Sequence, residues 1–165
     1  MDRGIRPHDD KATYQPQSPF DVKIWTSAMH TYSVALRITG TDLDLPDISA
    51  KLGLKPTQTR VIGQARSPNS VWDESLWEYE VRPGEDKPVW DSLESGLQTL
   101  ILAFVSRKEE LRDYQQRYKV FLLCGHFSSS FCGGPTLSPQ ILKALADFGV
   151  ELILDTYSSW DPDAE

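Results

Sequence analysis

Apolar side chains fall at every second position from Tyr32 to Ile38, as Tyr32, Val34, Leu36 and Ile38, with Ser33, Ala35 and Arg37 between them. A period of two predicts a half-buried strand from Thr31 to Ile38. Gly40 ends it. Trp77, Tyr79 and Val81 alternate in the same way with Leu76, Glu78 and Glu80, and the Pro83-Gly84 turn closes that strand. Val120 to Cys124 is an unbroken apolar run, the pattern of a strand covered on both faces in the middle of a sheet. Val150, Leu152 and Leu154 alternate with Glu151, Ile153 and Asp155 and predict a last strand with one strongly buried face. A more polar strand is expected from Gln58 to Ile62. The stretch 63–73, GQARSPNSVWD, reads as a loop around Gly63, Pro68 and Asn69.

Between these strands the period changes to that of a helix. Ser138 is placed to cap a helix N-terminus, Pro139 suits the first helical position, and Ile141, Leu142, Leu145 and Phe148 form one apolar stripe. Gly149 stands where a helix end takes a left-handed residue. Asp44, Pro46, Ile48, Leu52 and Gly53 repeat that plan in a shorter helix. After Pro88, the residues Val89, Trp90, Leu93, Leu97, Leu100, Ile101 and Phe104 predict a long helix. Ser106 and Glu109 have capping-box spacing, so a break near Ser106 and a second short helix through Leu111, Tyr114 and Tyr118 are expected. TGTDLDLPDISAKLGL and GPTLSPQILKALADFGV echo one another. The echo fits either an internal duplication or the common appearance of any strand–helix–strand unit.

These elements predict an α+β fold: a two-layer sandwich with one mixed or antiparallel sheet of about five strands and helices mainly on one face, ferredoxin-like in arrangement. Residues 1–29, with Pro7, Pro16 and Pro19 and no sustained period, read as a weakly ordered arm. Residues 30–158 read as a single domain and 159–165 as an acidic tail. The chain's 165 residues fit one domain of the usual ~100–150.

Charge and cysteine content narrow the function classes. The net charge of −7 disfavours nucleic acid and admits a basic protein partner. Two cysteines are too few for a disulfide framework, and no apolar run is long enough for a membrane span or a cleaved leader. A cytoplasmic protein without membrane contact is therefore expected. Oligomeric state is not readable from this pattern.

Cys124, His126 and Cys132 are the densest group of reactive side chains. They could ligate a metal, but a structural zinc site wants four ligands and no fourth is evident, so no metal or cofactor is assigned. With Asp155 the same residues could make a Cys-His-Asp nucleophile set, against which stands a buried thiol at a strand end. Ser128, Ser129, Ser130, Gly133 and Gly134 precede a helix and could cradle an anion, or simply connect two elements. Arg60, Arg66, Trp72 and Trp77 could form a recognition surface, since Arg and Trp are the usual interface anchors. The alternative for them is core tryptophan and solvated arginine. The run Glu109, Glu110, Arg112, Asp113 reads as a solvated helix face.

Three stretches, VALRITGTDLDLPDISAKLGLKPTQTRVIG, LWEYEV and FLLCGHFSSSFCGGPTLSPQILKALADFGVELILDTY, together resemble the bacterial family called domain of unknown function 4279. The shared features are the Leu-Gly-Leu-x-Pro-Thr step after a short helix, a Trp-led strand, a Cys-Gly-x-Phe-Ser-like strand end, a glycine-rich loop, a Leu-Ser-Pro helix start and a closing Asp-x-Tyr strand. The resemblance runs from about Tyr32 to Tyr157. Here the basic residue ahead of the family's glycine is Arg60, separated from Gly63 by Val61 and Ile62. The resemblance implies a small α+β domain and no particular activity. Immunity proteins of toxin systems are of that general description. The reading that follows is a non-enzymatic binding domain, plausibly immunity-type. A small Cys/His- or metal-dependent hydrolase and a ligand-binding regulatory domain are the alternatives.

Overall fold

The computed structural model describes residues 30–129 and 133–158. The expected arm at 1–29, the tail at 159–165, and Ser130 and Cys132 of the loop lie outside the described residues.

The central strand β1 (His30–Gly40) carries Tyr32, Val34, Leu36 and Ile38 on one face, all buried as their alternation demands. The helix α1 (Leu45–Leu52) starts where Asp44 accepts a hydrogen bond from the Asp47 backbone N–H at 2.9 Å. It ends at Gly53, whose φ of 59° a side chain would strain. The edge strand β2 (Gln58–Arg60) is shorter than expected. A hairpin of β3 (Ala65–Ser67) and β4 (Ser70–Val71) occupies the predicted loop, and β5 (Ser75–Val81) follows. The helix α2 (Leu93–Phe104) then leads through a 3-10 turn at Val105–Arg107 into α3 (Lys108–Gln115). The strand β6 (Lys119–Ser128), helix α4 (Pro139–Phe148) and strand β7 (Glu151–Ser158) complete the order.

The main sheet is mixed, in the order β2-β5-β1-β6-β7. All its neighbours are antiparallel except β6 and β7, which α4 joins as a parallel crossover. With the hairpin set aside, the chain passes through β1, α1, β2, β5, α2 and β6. Those four strands lie as β6-β1-β5-β2, so β5 inserts between β1 and β2 and splits the first strand–helix–strand unit. The two segments that echo each other in sequence are therefore not equivalent: β6 and β7 are direct neighbours, whereas β1 and β2 are not.

One core forms between the sheet and the helices. Val34, Leu36, Ile38, Trp77, Leu122 and Cys124 enter it from the strands. Ile48 and Leu52 of α1, Leu97, Leu100 and Phe104 of α2, Leu111 and Tyr114 of α3, and Ile141 and Phe148 of α4 enter it from the helices. The other face of β6 is also covered, with Phe121 only 8% exposed, as its unbroken apolar run requires.

Three local expectations are corrected. α2 begins at Leu93, not near Val89, because Ser92 caps it and Trp90 is drawn into an extended bridge with Tyr32, their backbones exchanging two hydrogen bonds of 2.7 Å. The break at Ser106 is present, but no capping box forms there, since α3 has no side-chain cap. Instead the Arg107 guanidinium donates to the Leu52 and Ala103 carbonyls, satisfying groups near the ends of α1 and α2. Lastly, β6 runs on to Ser128, so His126 and Ser128 belong to a strand and not to the loop.

Candidate functional site

Two places in the fold gather the side chains singled out by sequence. The first is the free face of the sheet at the β2 edge. In register, Gln58 of β2 and Arg37 of β1 both pair with Glu78 of β5, and Arg60 pairs with Leu76. Residues two apart share a face, so Arg37, Arg60 and Glu78 project from the same side of the sheet, away from the helices. Arg37 Nε donates to Glu78 Oε2 at 2.5 Å, and Glu78 is only 8% exposed.

The hairpin brings the rest. The Gly63 N–H donates to the Trp72 carbonyl at 2.8 Å, and the Trp72 N–H to the Gln64 carbonyl at 2.9 Å. These bonds fold the segment back so that Trp72 faces both arginines. The guanidinium carbon of Arg60 lies 3.9 Å from the centre of the Trp72 ring and that of Arg66 4.7 Å. Both are cation–π distances. Val61, Ile62 and Val71 are exposed around them. Arg60 Nε is buried and has no hydrogen-bond partner. Burial, then the positive charge of Arg37, lowers the Arg60 pKa from its ordinary value. Glu78 opposes that shift, and Arg66 adds to it.

Trp77 does not join this surface. Alternation turns it to the opposite face, where it is wholly buried and its indole N–H donates to Ser49 Oγ of α1 at 3.0 Å. It is a core residue, and the recognition cluster contains Trp72 alone of the two.

The second place lies at the other end of β1, on the helix side. His30 pairs with Ser128 and Tyr32 with His126 across β1 and β6. The His30 Nδ1 and His126 Nε2 atoms are 2.9 Å apart, so one ring donates to the other. Tyr32 stacks on His126 with ring centres 5.0 Å apart. His126 is 4% exposed, and burial first, then the charge of His30, lowers its pKa below the ordinary imidazole value. Beside this pair is an open cleft lined by His30, Tyr32, Asp91, Ser92 and residues 134–136.

Among the described residues the nucleophile set is not assembled. Cys124 and His126 point into the helix layer, whereas Asp155 pairs with Gly125 and so projects from the opposite face. Burial pushes the Cys124 thiol up to about 12, which disfavours the thiolate. Among the described residues no group of three or more His, Cys, Asp or Glu could hold a metal ion. Of the serines, Ser128 is buried at the end of β6 and Ser129 is exposed just beyond it.

Sequence reasoning missed His30, Arg37 and Glu78. The alternation of β1 and β5 already puts Arg37 and Glu78 on free faces, but only the register makes them partners.

Among the described residues no helix is long and apolar enough to cross a membrane. A family model described as Domain of unknown function (DUF4279) matches residues 30–159, most of the chain. No curated protein and no solved structure matches.

Proposed function

We propose, for a chain that belongs to the DUF4279 family, a non-enzymatic protein-binding role whose contact surface is the face bearing Arg60, Arg66 and Trp72. The carrying observation is the single tryptophan held under two guanidiniums at a sheet edge, with exposed Val61, Ile62 and Val71 beside it. Arg and Trp are the residues most often found to dominate interface energy, and an apolar patch around them excludes water. Against chemistry stand a thiol kept protonated by burial and a carboxylate on the wrong face of the sheet.

The finer reading is an immunity-type protein that occludes a basic toxin. The net charge of −7 would steer a basic partner at long range, while the Arg–Trp face, itself locally positive, would engage an acidic patch on that partner at short range. A photo-crosslinker placed at Val71 tests the surface. The expected result is one protein crosslinked by the wild type and lost in Trp72→Ala at unchanged thermal stability, with affinity reduced at least ~10-fold. The same crosslinks in both proteins would overturn the assignment of the surface. Protection of cells from the crosslinked partner tests the immunity reading.

The cleft beside His30 and residues 134–136 supports a second reading, a small-ligand regulatory domain. A thermal-shift panel of nucleotides and metals, with Thr136→Ala as the control, separates it from the first.

A further inference from the structure

We infer that Arg60 and Arg66, which lie against the Trp72 ring, form with the neighbouring Arg37 a binding site for a phosphate monoester group. This goes beyond the protein-binding reading and does not depend on it, because it concerns the ligand chemistry of the cluster itself.

Arg37, Arg60 and Arg66 bring three positive charges to one face, and Glu78 brings one negative charge, already engaged by Arg37 at 2.5 Å. The next carboxylate along β5, Glu80, is held by Arg82 at 2.9 Å. Among the charged groups that act on Arg60, which are Arg37, Arg66 and Glu78, two positive charges are therefore left over once Arg60 itself is counted, in a chain whose total charge is −7. Guanidiniums set this close repel one another, and the Trp72 ring offsets only part of that cost.

An orphan donor points the same way. Buried polar atoms in native proteins almost always have partners, and an exception calls for an explanation, of which a ligand or ion site is one. Arg60 Nε is buried without a partner. Among the described residues neither Arg60 nor Arg66 has a carboxylate in ion-pair contact. A planar guanidinium presents its donors as a fork matched to two oxygens of one oxyanion.

The surplus of two charges selects the anion. A phosphate monoester carries about −1.5 to −2 at pH 7 and offers three acceptor oxygens. A single carboxylate would neutralise only half the surplus. The group could belong to a phosphorylated side chain or to a small phosphorylated molecule, and both present the same oxygens.

The test uses the full chain and nuclear magnetic resonance of the arginine Nε–H groups, with the Arg60 signal assigned by its loss in Arg60→Gln. Inorganic phosphate, free phosphoserine, and a short phosphoserine peptide with its unphosphorylated twin are titrated at constant ionic strength against sodium chloride. The expected result is a saturable shift of the Arg60 Nε–H with phosphate and none with chloride, its midpoint raised at least ~10-fold in Arg66→Gln. Arg66 is on the exposed hairpin, so that variant keeps the fold. A tighter response to the phosphopeptide than to phosphoserine identifies a protein source, and equal responses a small molecule. Shifts that chloride reproduces, or a midpoint unchanged in Arg66→Gln, overturn the inference. If the inference fails in this way while the Val71 crosslink still requires Trp72, the protein-binding surface stands without it.

Discussion

Glu94 holds both hydrogen-bond donors of Ser138: its Oε2 accepts from the Ser138 backbone N–H at 2.9 Å and its Oε1 from the Ser138 hydroxyl at 2.8 Å. The same hydroxyl oxygen accepts from the Ile141 N–H at 3.3 Å and so caps α4. One carboxylate thus joins the first turn of α2 to the start of α4, where its negative charge also meets two helix N-termini. Glu94→Ala is expected to destabilise the protein by about 1–3 kcal/mol, the cost of stranding a half-buried donor. Urea denaturation measures the loss. Hydrogen exchange should locate it at Ser138 and Ile141, and uniform exchange across the chain would refute the tie.

Gly96 sits in α2 against the sheet, where alanine would ordinarily stabilise a helix by about 1 kcal/mol. A Cβ there would lie 2.7 Å from Val34 Cγ2 and 3.1 Å from Trp90 Cδ1. Val34 is fully buried and has nowhere to go, so overpacking of about 1–3 kcal/mol wins. Gly96→Ala should lower the denaturation midpoint and change the Trp90 fluorescence. A rise in stability would mean that helix and sheet are not so closely packed.

Removing one partner of the Arg37–Glu78 pair leaves the other charge partly buried without its counter-charge. Arg37→Ala should cost less than the ~3–5 kcal/mol of a fully enclosed pair, because 26% of the Arg37 side chain is open to water. Adding Glu78→Gln should restore much of the loss. A double-mutant cycle measures the coupling, and strictly additive effects would show that the contact contributes nothing.

His126 gives stability a pH dependence whose sign follows from its lowered pKa. The folded protein resists protonating this imidazole because it is buried and faces His30, with Tyr32 stacked on it. The unfolded chain takes the proton near the ordinary value of about 6.5. The contribution is therefore full above that value and is lost as pH falls from it toward the lower folded pKa. Urea midpoints should decline from pH 7 to pH 5, and His126→Phe should flatten that decline. An equal decline in both proteins would assign it to other groups.

Much of the fold was legible in the chain, and the reason is local. The Ser138, Pro139 and Gly149 signals bound α4 because capping and left-handed backbone act within a few residues. Asp44 and Gly53 do the same for α1. Trp90 misled because its apolar spacing continues the α2 stripe, while a bridge to Tyr32, far away in sequence, takes it out of the helix. The hairpin at residues 65–71 was missed because its short strands are exposed and leave no alternation to read.

The candidate sites divide along the same line. Alternation alone determined that Arg37 leaves the core and that Tyr32, Val34, Leu36 and Ile38 enter it, since a strand turns successive side chains to opposite faces. Which residues meet was decided only by the tertiary structure. Strand order put β5 between β1 and β2 and so brought Arg37, Arg60 and Glu78 together. The register of β1 on β6 set His30 against His126, and the fold-back after Gly63 laid Trp72 on Arg60. The period of a strand says which way a side chain points but carries no record of its neighbour, and neighbours make a site.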